Sequence, residues 1–145
     1  MKNPNSKLIT QLREFSETIK DRYNLICVIL FGSQARGDAS LHSDIDLIVV
    51  GEFREKFIHR GMEFYEALNL EYPIDVFCYT PEEFQDLFFR GVISALDAID
   101  EGICLFGNDF FQKYRKKLAK LKKLGLKKDP PVWILPSNME KMTFE

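Results

Sequence analysis

Two aspartates at the start of an apolar run are the residues of this sequence best suited to chemistry. Asp44 and Asp46 stand one residue apart in "SDIDLIVV". Residues two apart in a β-strand point to the same face, so these carboxylates would project together with their α-carbons about 6–7 Å apart. Close carboxylates repel each other unless a cation neutralises them. Hard oxygen ligands of this kind favour Mg²⁺, with Mn²⁺ as the alternative metal.

A third aspartate lies in another apolar run. Asp75 stands between Ile74 and Val76 in "PIDVFCY", and a strand acid with apolar neighbours needs a partner or a metal. If its strand neighbours the strand of Asp46, the two side chains face the same space. Three carboxylates could then hold two magnesium ions, one at an attacking hydroxyl and one at a leaving group.

The turn after the first apolar run supplies groups that suit phosphate. Gly32 and Ser33 follow "LICVILF", and a glycine there lets the backbone approach a ligand closely. The turn "SQARG" could offer amide donors to a phosphate. Its Arg36 could pair with a phosphate bidentately, although a solvated or structural role for this arginine stays open. Together these features indicate phosphoryl-type transfer.

The spacing of these residues matches a known signature. The stretch "GSQARGDASLHSDID" fits the pattern G-S-x10-D-x-D at Gly32, Ser33, Asp44 and Asp46. In this the sequence resembles the nucleotidyltransferase superfamily of DNA polymerase β type, and the short chain looks like its minimal nucleotidyltransferases. Asp75 matches the third acidic position of that superfamily. The resemblance predicts the nucleotidyltransferase fold.

The resemblance also implies a role for each residue. Asp44 and Asp46 would bind both metal ions, and Asp75 would bind the catalytic ion and help to deprotonate the acceptor. Gly32 and Ser33 would hold the triphosphate of ATP, the expected substrate. All three acidic positions are present, which favours an active enzyme.

Minimal members of the superfamily often work beside a HEPN-domain ribonuclease, and some attach AMP to a tyrosine of that toxin. The resemblance therefore implies a protein adenylyltransferase, the antitoxin of a type VII toxin–antitoxin pair, in an oligomeric or hetero-oligomeric assembly. Two alternatives stay open. One is a small-molecule transferase of the aminoglycoside-modifying kind, which the missing second domain disfavours, and the other is an antitoxin that acts by binding alone.

The elements that must position these residues follow from apolar periodicity. Strands are predicted at 25–31, 45–50, 73–79 and 103–106. Helices are predicted at 6–22, 53–68, 81–89, 92–101 and 108–124, with Thr80 and Asn108 as caps. We expect an α/β (α+β) domain at 1–125, with a small mixed sheet of about four strands flanked by helices. The proline-containing tail, 126–145, is not expected to form one regular element, and its Trp133 would pack on the domain or contact a partner.

The composition is that of one folded domain. The chain has 145 residues, of which 46% are hydrophobic, enough for a sizeable core without obvious room for a second one. The longest apolar stretch, 25–31, is too short to span a bilayer, and the N-terminus lacks the apolar run of a signal peptide. We therefore expect a cytoplasmic protein with no membrane partner.

The charge is unevenly distributed along the chain. Residues 113–128 contain nine Lys or Arg and no acid, which leaves 11 basic against 22 acidic residues elsewhere. Such a segment could bind nucleic acid, dock to an acidic partner or form a solvated helix face. The solvated face is favoured over nucleic acid because no aromatic platform for bases is evident beyond Tyr114.

Other reactive residues indicate no second site. His42 and Ser43 are interpreted as polar loop residues, with substrate contact by His42 as the alternative, and His59 as a surface residue. The cysteines lie in apolar runs, lack metal-ligand spacing and are expected to be reduced core residues. They are Cys27, Cys78 and Cys104.

Overall fold

The computed structural model describes residues 6–37, 44–54, 60–68 and 73–137. The helices are α1 (Ser6–Ile19), α2 (Ser33–Arg36), α3 (Met62–Leu68), α4 (Pro81–Phe89), α5 (Ile93–Glu101) and α6 (Asn108–Lys123). The strands are β1 (Cys27–Phe31), β2 (Ile45–Val50), β3 (Ile74–Tyr79), β4 (Ile103–Phe106), β5 (Lys127–Asp129) and β6 (Val132–Ile134). Each predicted strand is therefore present.

The main sheet has the order β3-β2-β1-β4. Strand β1 is antiparallel to both of its neighbours, whereas β2 and β3 run parallel. The sheet is thus mixed and flanked by helices, as the sequence predicted, and β1 and β2 lie at its centre.

Both faces of the sheet are covered, which explains the continuous apolar runs of the central strands. Alternate residues of β1 enter different cores. Cys27, Ile29 and Phe31 pack with α4, α5 and α6, whereas Val28 and Leu30 pack with the buried side of α1. A strand that is apolar throughout is required wherever helices lie on both sides.

Helix α4 begins at the predicted capping box. The Thr80 hydroxyl accepts a hydrogen bond from the amide of Glu83, whose carboxylate accepts one from the Thr80 amide. Arg60 donates to the same carboxylate at 2.6 Å. Burial raises the pKa of Glu83, but the bonds from Thr80 and Arg60 outweigh it and hold the pKa below its usual value. The N-terminus of α4 is thereby joined to Arg60, in the segment before α3.

Two local predictions were wrong. The predicted helix at 53–68 is not continuous: residues 52–54 are not helical, Gly61 lies in a turn with a φ of +81°, and α3 covers Met62–Leu68. Asn108 does not cap α6, because Gly107 occupies that position in a left-handed conformation. A side chain there is excluded, since a Cβ on Gly107 would overlap the Ile26 carbonyl. His42, Ser43 and His59 lie outside the described residues.

The segment after α6 forms an element that the sequence did not predict. Strands β5 and β6 make an antiparallel hairpin, and the two prolines between them occupy its turn. Trp133 is only 8% exposed and belongs to the core beside α5 and α6. Its indole Nε1 donates to Asp97 Oδ1 at 2.9 Å. Trp133 therefore packs on its own domain, which resolves the alternative left open by the sequence.

The described residues agree with the expectation of reduced cysteines. Cys27 and Cys78 are buried, Cys104 is partly buried, and all three are free thiols. No helix within the described ranges is long and apolar enough to cross a membrane.

Candidate active site

The parallel pair β2–β3 places two of the predicted acids side by side. Asp46 and Asp75 are register partners, one at the second position of each strand. The flanking Ile45 and Leu47 enter the opposite core, so Asp46 faces the α4, α5 and α6 side. The two strands are neighbours, which meets the condition stated for Asp75, and the register brings both acids to one edge of the sheet.

Gly32 approaches Asp46 from the end of β1. Phe31 pairs with Asp46 across the antiparallel ladder, and Gly32 follows with a φ of +77°. A Cβ at this position would lie 2.5 Å from Asp46 Oδ2. Only a glycine permits both this backbone conformation and this approach. The signature glycine is therefore needed beside the acid as well as for the turn.

The charges of the three acids act on one another. Partial burial raises the pKa of Asp46, and the carboxylates of Asp75 and Asp44 raise it further, whereas the Arg36 charge opposes them. Asp44 and Asp75 are exposed, so Asp46 is the acid that the fold withdraws from water. A cation bound at this edge would relieve the repulsion.

Ser33 and Arg36 belong to the single turn of α2. The Gly32 carbonyl accepts from the amides of Ala35 and Arg36 at 3.1 Å, and the turn closes at Gly37 in the left-handed conformation. This geometry sets Ser33 directly after the glycine that contacts Asp46. Phosphate binding by Gly32 and Ser33 stays a prediction.

Arg36 has a partner that sequence reasoning missed. Its Nη1 lies 2.7 Å from Oε1 of Glu101, at the end of α5. The signal in the sequence was weak: Asp100 and Glu101 stand in the last turn of a helix, where the dipole disfavours acids. Acids in such a position indicate cationic partners, which the sequence alone does not identify.

The donor chemistry suits a hard divalent ion, since three carboxylates converge on one edge. Within the described ranges, however, no group of three or more His, Cys, Asp or Glu side chains is arranged so that it could hold a metal ion. The backbone thus brings the acids together, while their side chains do not stand in a ligand set. Metal binding by Asp44, Asp46 and Asp75 stays a prediction.

Comparison with known proteins places the chain among relatives of one kind. A family model described as a nucleotidyltransferase domain matches residues 12–144. Two proteins of Methanocaldococcus jannaschii, each named "putative protein adenylyltransferase", match part of the chain. One is 44% identical over 43 residues, covering 28% of this chain and 43% of the relative. The other is 39% identical over 58 residues, covering 40% of this chain and 56% of the relative.

The chain spans about half the length of the curated relatives it matches. Among solved structures, a toxin–antitoxin with AMP-PNP superposes with a TM-score of 0.52 and 19% identity. The superposition covers 78% of this chain and 86% of the other. This similarity shows a shared fold.

Proposed function

Because the chain belongs to the nucleotidyltransferase domain family, we propose that it transfers AMP from ATP to a hydroxyl group of a protein. The observation that carries this proposal is the register pairing of Asp46 with Asp75, beside Gly32 and with Asp44 two residues earlier. That arrangement joins an acidic edge to the turn after β1. Both matching relatives carry the name "putative protein adenylyltransferase", which supports the choice of a protein acceptor.

In the proposed reaction the acceptor oxygen bonds to the α-phosphorus of ATP. The bond from that phosphorus to the bridging oxygen breaks, and pyrophosphate leaves with the electron pair. Asp75 accepts the hydroxyl proton, while Gly32 and Ser33 hold the triphosphate through the turn after β1. Asp44, Asp46 and Asp75 would hold magnesium, which supplies charge neutralisation to the phosphates when bound.

The proposed acceptor is a tyrosine of a HEPN-domain toxin, which makes this chain the antitoxin of a type VII pair and one half of a hetero-oligomer. Support comes from the fold shared with a toxin–antitoxin structure that contains AMP-PNP, a non-hydrolysable relative of ATP. We place the reaction in the cytoplasm, since ATP is the substrate and all three cysteines are free thiols.

The test is incubation with α-labelled ATP and magnesium, with a HEPN-domain partner and separately with bulk RNA. Asp44→Asn combined with Asp46→Asn serves as the blank. Label on a tyrosine of the partner, absent from the blank, is the expected result. Label on RNA would replace a protein acceptor with a nucleic acid, and equal label in the blank would remove the aspartates from the mechanism.

A further inference from the structure

Glu101 connects the candidate active site to the C-terminal hairpin, through Arg36 on one side and Lys128 on the other. Its Oε1 pairs with Arg36 at 2.7 Å, and its Oε2 lies 3.3 Å from Lys128 Nζ, in strand β5. The Glu101 side chain is 20% exposed, whereas that of Arg36 is 42% exposed. The acid is thus the more enclosed partner, held from two directions.

The contact links segments that are far apart in the chain. Arg36 ends the single turn of α2, and Glu101 ends the nine-residue helix α5, whose buried side is part of the core. A long arginine side chain on a short turn has many rotamers, and a fixed carboxylate restricts them. The contact with Glu101 of α5 therefore restricts the orientation of Arg36.

A guanidinium can serve two anions. It has five N–H donors in a planar fork, so a carboxylate on one edge leaves the geometry for a second anion intact. Arg36 also acts electrostatically on Asp46, which places its charge near the acidic edge.

We propose that Glu101 is a positioning residue, which holds Arg36 in the orientation that binds the triphosphate of ATP. The proposal rests on the proposed function, because it requires ATP at this edge. Removal of the Glu101 charge removes one restraint on Arg36, so that ATP binding must supply more of its ordering. Ordering one such side chain weakens binding by about threefold to tenfold.

The chain contains a matched control for Glu101. Asp100 is the preceding residue of the same helix and also contacts Lys128, at 3.3 Å. Its other ion pair is with Lys122, whereas among the described residues the Arg36 pair is made by Glu101. Asp100→Asn therefore removes a carboxylate from the same charged group without removing the anchor of Arg36.

The experiment is calorimetric titration of the full chain with magnesium and ATP. Glu101→Gln is expected to raise Kd about threefold to tenfold, while Asp100→Asn stays within about twofold of the wild type. In an Arg36→Gln background, Glu101→Gln should add nothing further, because it acts through Arg36. The transfer rate at saturating ATP is expected to stay within about twofold for Glu101→Gln, since only binding is affected.

An unchanged or lower Kd for Glu101→Gln would overturn the proposal, as would an equal loss in the Arg36→Gln background. If Glu101→Gln does not fold, the same ion pair is tested by changing its other partner, in Arg36→Lys. The lysine ammonium lacks the planar fork that presents one edge to a carboxylate and another to a phosphate, so Kd should rise, and an unchanged Kd overturns the role. A wild-type chain that does not bind ATP would instead overturn the proposed function.

Discussion

The domain contains two groups of three acids, and the fold treats them in opposite ways. The site carboxylates gather at the starts of two parallel strands, and they are Asp44, Asp46 and Asp75. The support carboxylates lie on α5 under the C-terminal hairpin, and they are Asp97, Asp100 and Glu101. The two groups are similar in composition but differ in their electrostatic environment.

At the support carboxylates every acid faces a cation. Lys128 lies 3.2 Å from Asp97 and 3.3 Å from both other acids. Burial raises the pKa of Asp100, but hydrogen bonds and charge from Lys122 and Lys128 outweigh it and lower the pKa. At the site carboxylates, burial and neighbouring acids raise the pKa of Asp46. One group is neutralised by cations of the fold, whereas the other, the proposed ligand site, carries like charges that cost some stability.

Loss of Asp75 should give the largest effect on activity. Asp75→Asn is expected to lower kcat for label transfer by about 10²–10⁴-fold, because a group that accepts the reacting proton is removed. Its side chain is exposed, so the free energy of unfolding should change by less than about 0.5 kcal/mol. Initial rates and urea titrations measure the two quantities. Asp86→Asn, on the exposed surface of α4, is the control. A transfer rate near wild type for Asp75→Asn would mean that Asp75 has no role in the reaction.

On the support side, Trp133→Ala should cause the largest loss of stability. It removes a buried indole and its hydrogen bond to Asp97, which predicts a loss of about 3–5 kcal/mol in the free energy of unfolding. Ile134→Ala is the matched control, because its side chain is 53% exposed on the same strand. Similar urea midpoints for the two variants would mean that the hairpin does not hold the support carboxylates.

Gly32→Ala tests the close approach at the site carboxylates. The new Cβ would meet Asp46 Oδ2 and adopt an unfavourable φ, which predicts a loss of about 1–3 kcal/mol in stability and weaker ATP binding. Gly125→Ala has positive φ as well, but its Cβ would meet only Pro136 at 3.7 Å. Gly125→Ala therefore tests backbone strain without a contact to Asp46. ATP binding that is equally weakened in both variants would contradict a specific role for Gly32.

The smallest predicted effect is the pH dependence of the support carboxylates. Because the pKa of Asp100 is lowered in the folded state, its contribution is fully present above the ordinary value of 3.8 and is lost as pH falls through the lowered pKa. The pair is partly solvated, so the loss is about 0.2–1 kcal/mol. Urea titrations across this acid range should show it for the wild type and not for Asp100→Asn. Identical pH profiles of the free energy of unfolding for the two proteins would mean that the Asp100 carboxylate does not contribute to stability.

Sequence reasoning was most successful where one physical rule decided the structure. Continuous apolar runs predicted the strands, because helices cover both faces of the sheet. Two-residue spacing indicated that Asp75 would face Asp46 if their strands were neighbours, and the parallel register shows that they are. The capping box at Thr80 was predicted because its signature is local.

It was least successful where distant contacts decide. The hairpin β5–β6 was missed, since its burial depends on Trp133 reaching α5 and not on any periodicity of its own. The prediction of one continuous helix over 53–68 failed at the turn that contains Gly61, because apolar spacing does not reveal a left-handed glycine. The Arg36–Glu101 pair joins positions 65 apart, and no local pattern encodes it.

The pairing of β4 with β1 has a consequence for synthesis of the protein. Leu30 and Ile103 are partners although 73 positions separate them, so β1 keeps an open edge until β4 has left the ribosome. A nascent chain that already contains all three site aspartates therefore exposes an unpaired strand, the kind of edge that recruits chaperones or aggregates. Translation order thus delays completion of the four-stranded sheet until well after the three site aspartates have been made.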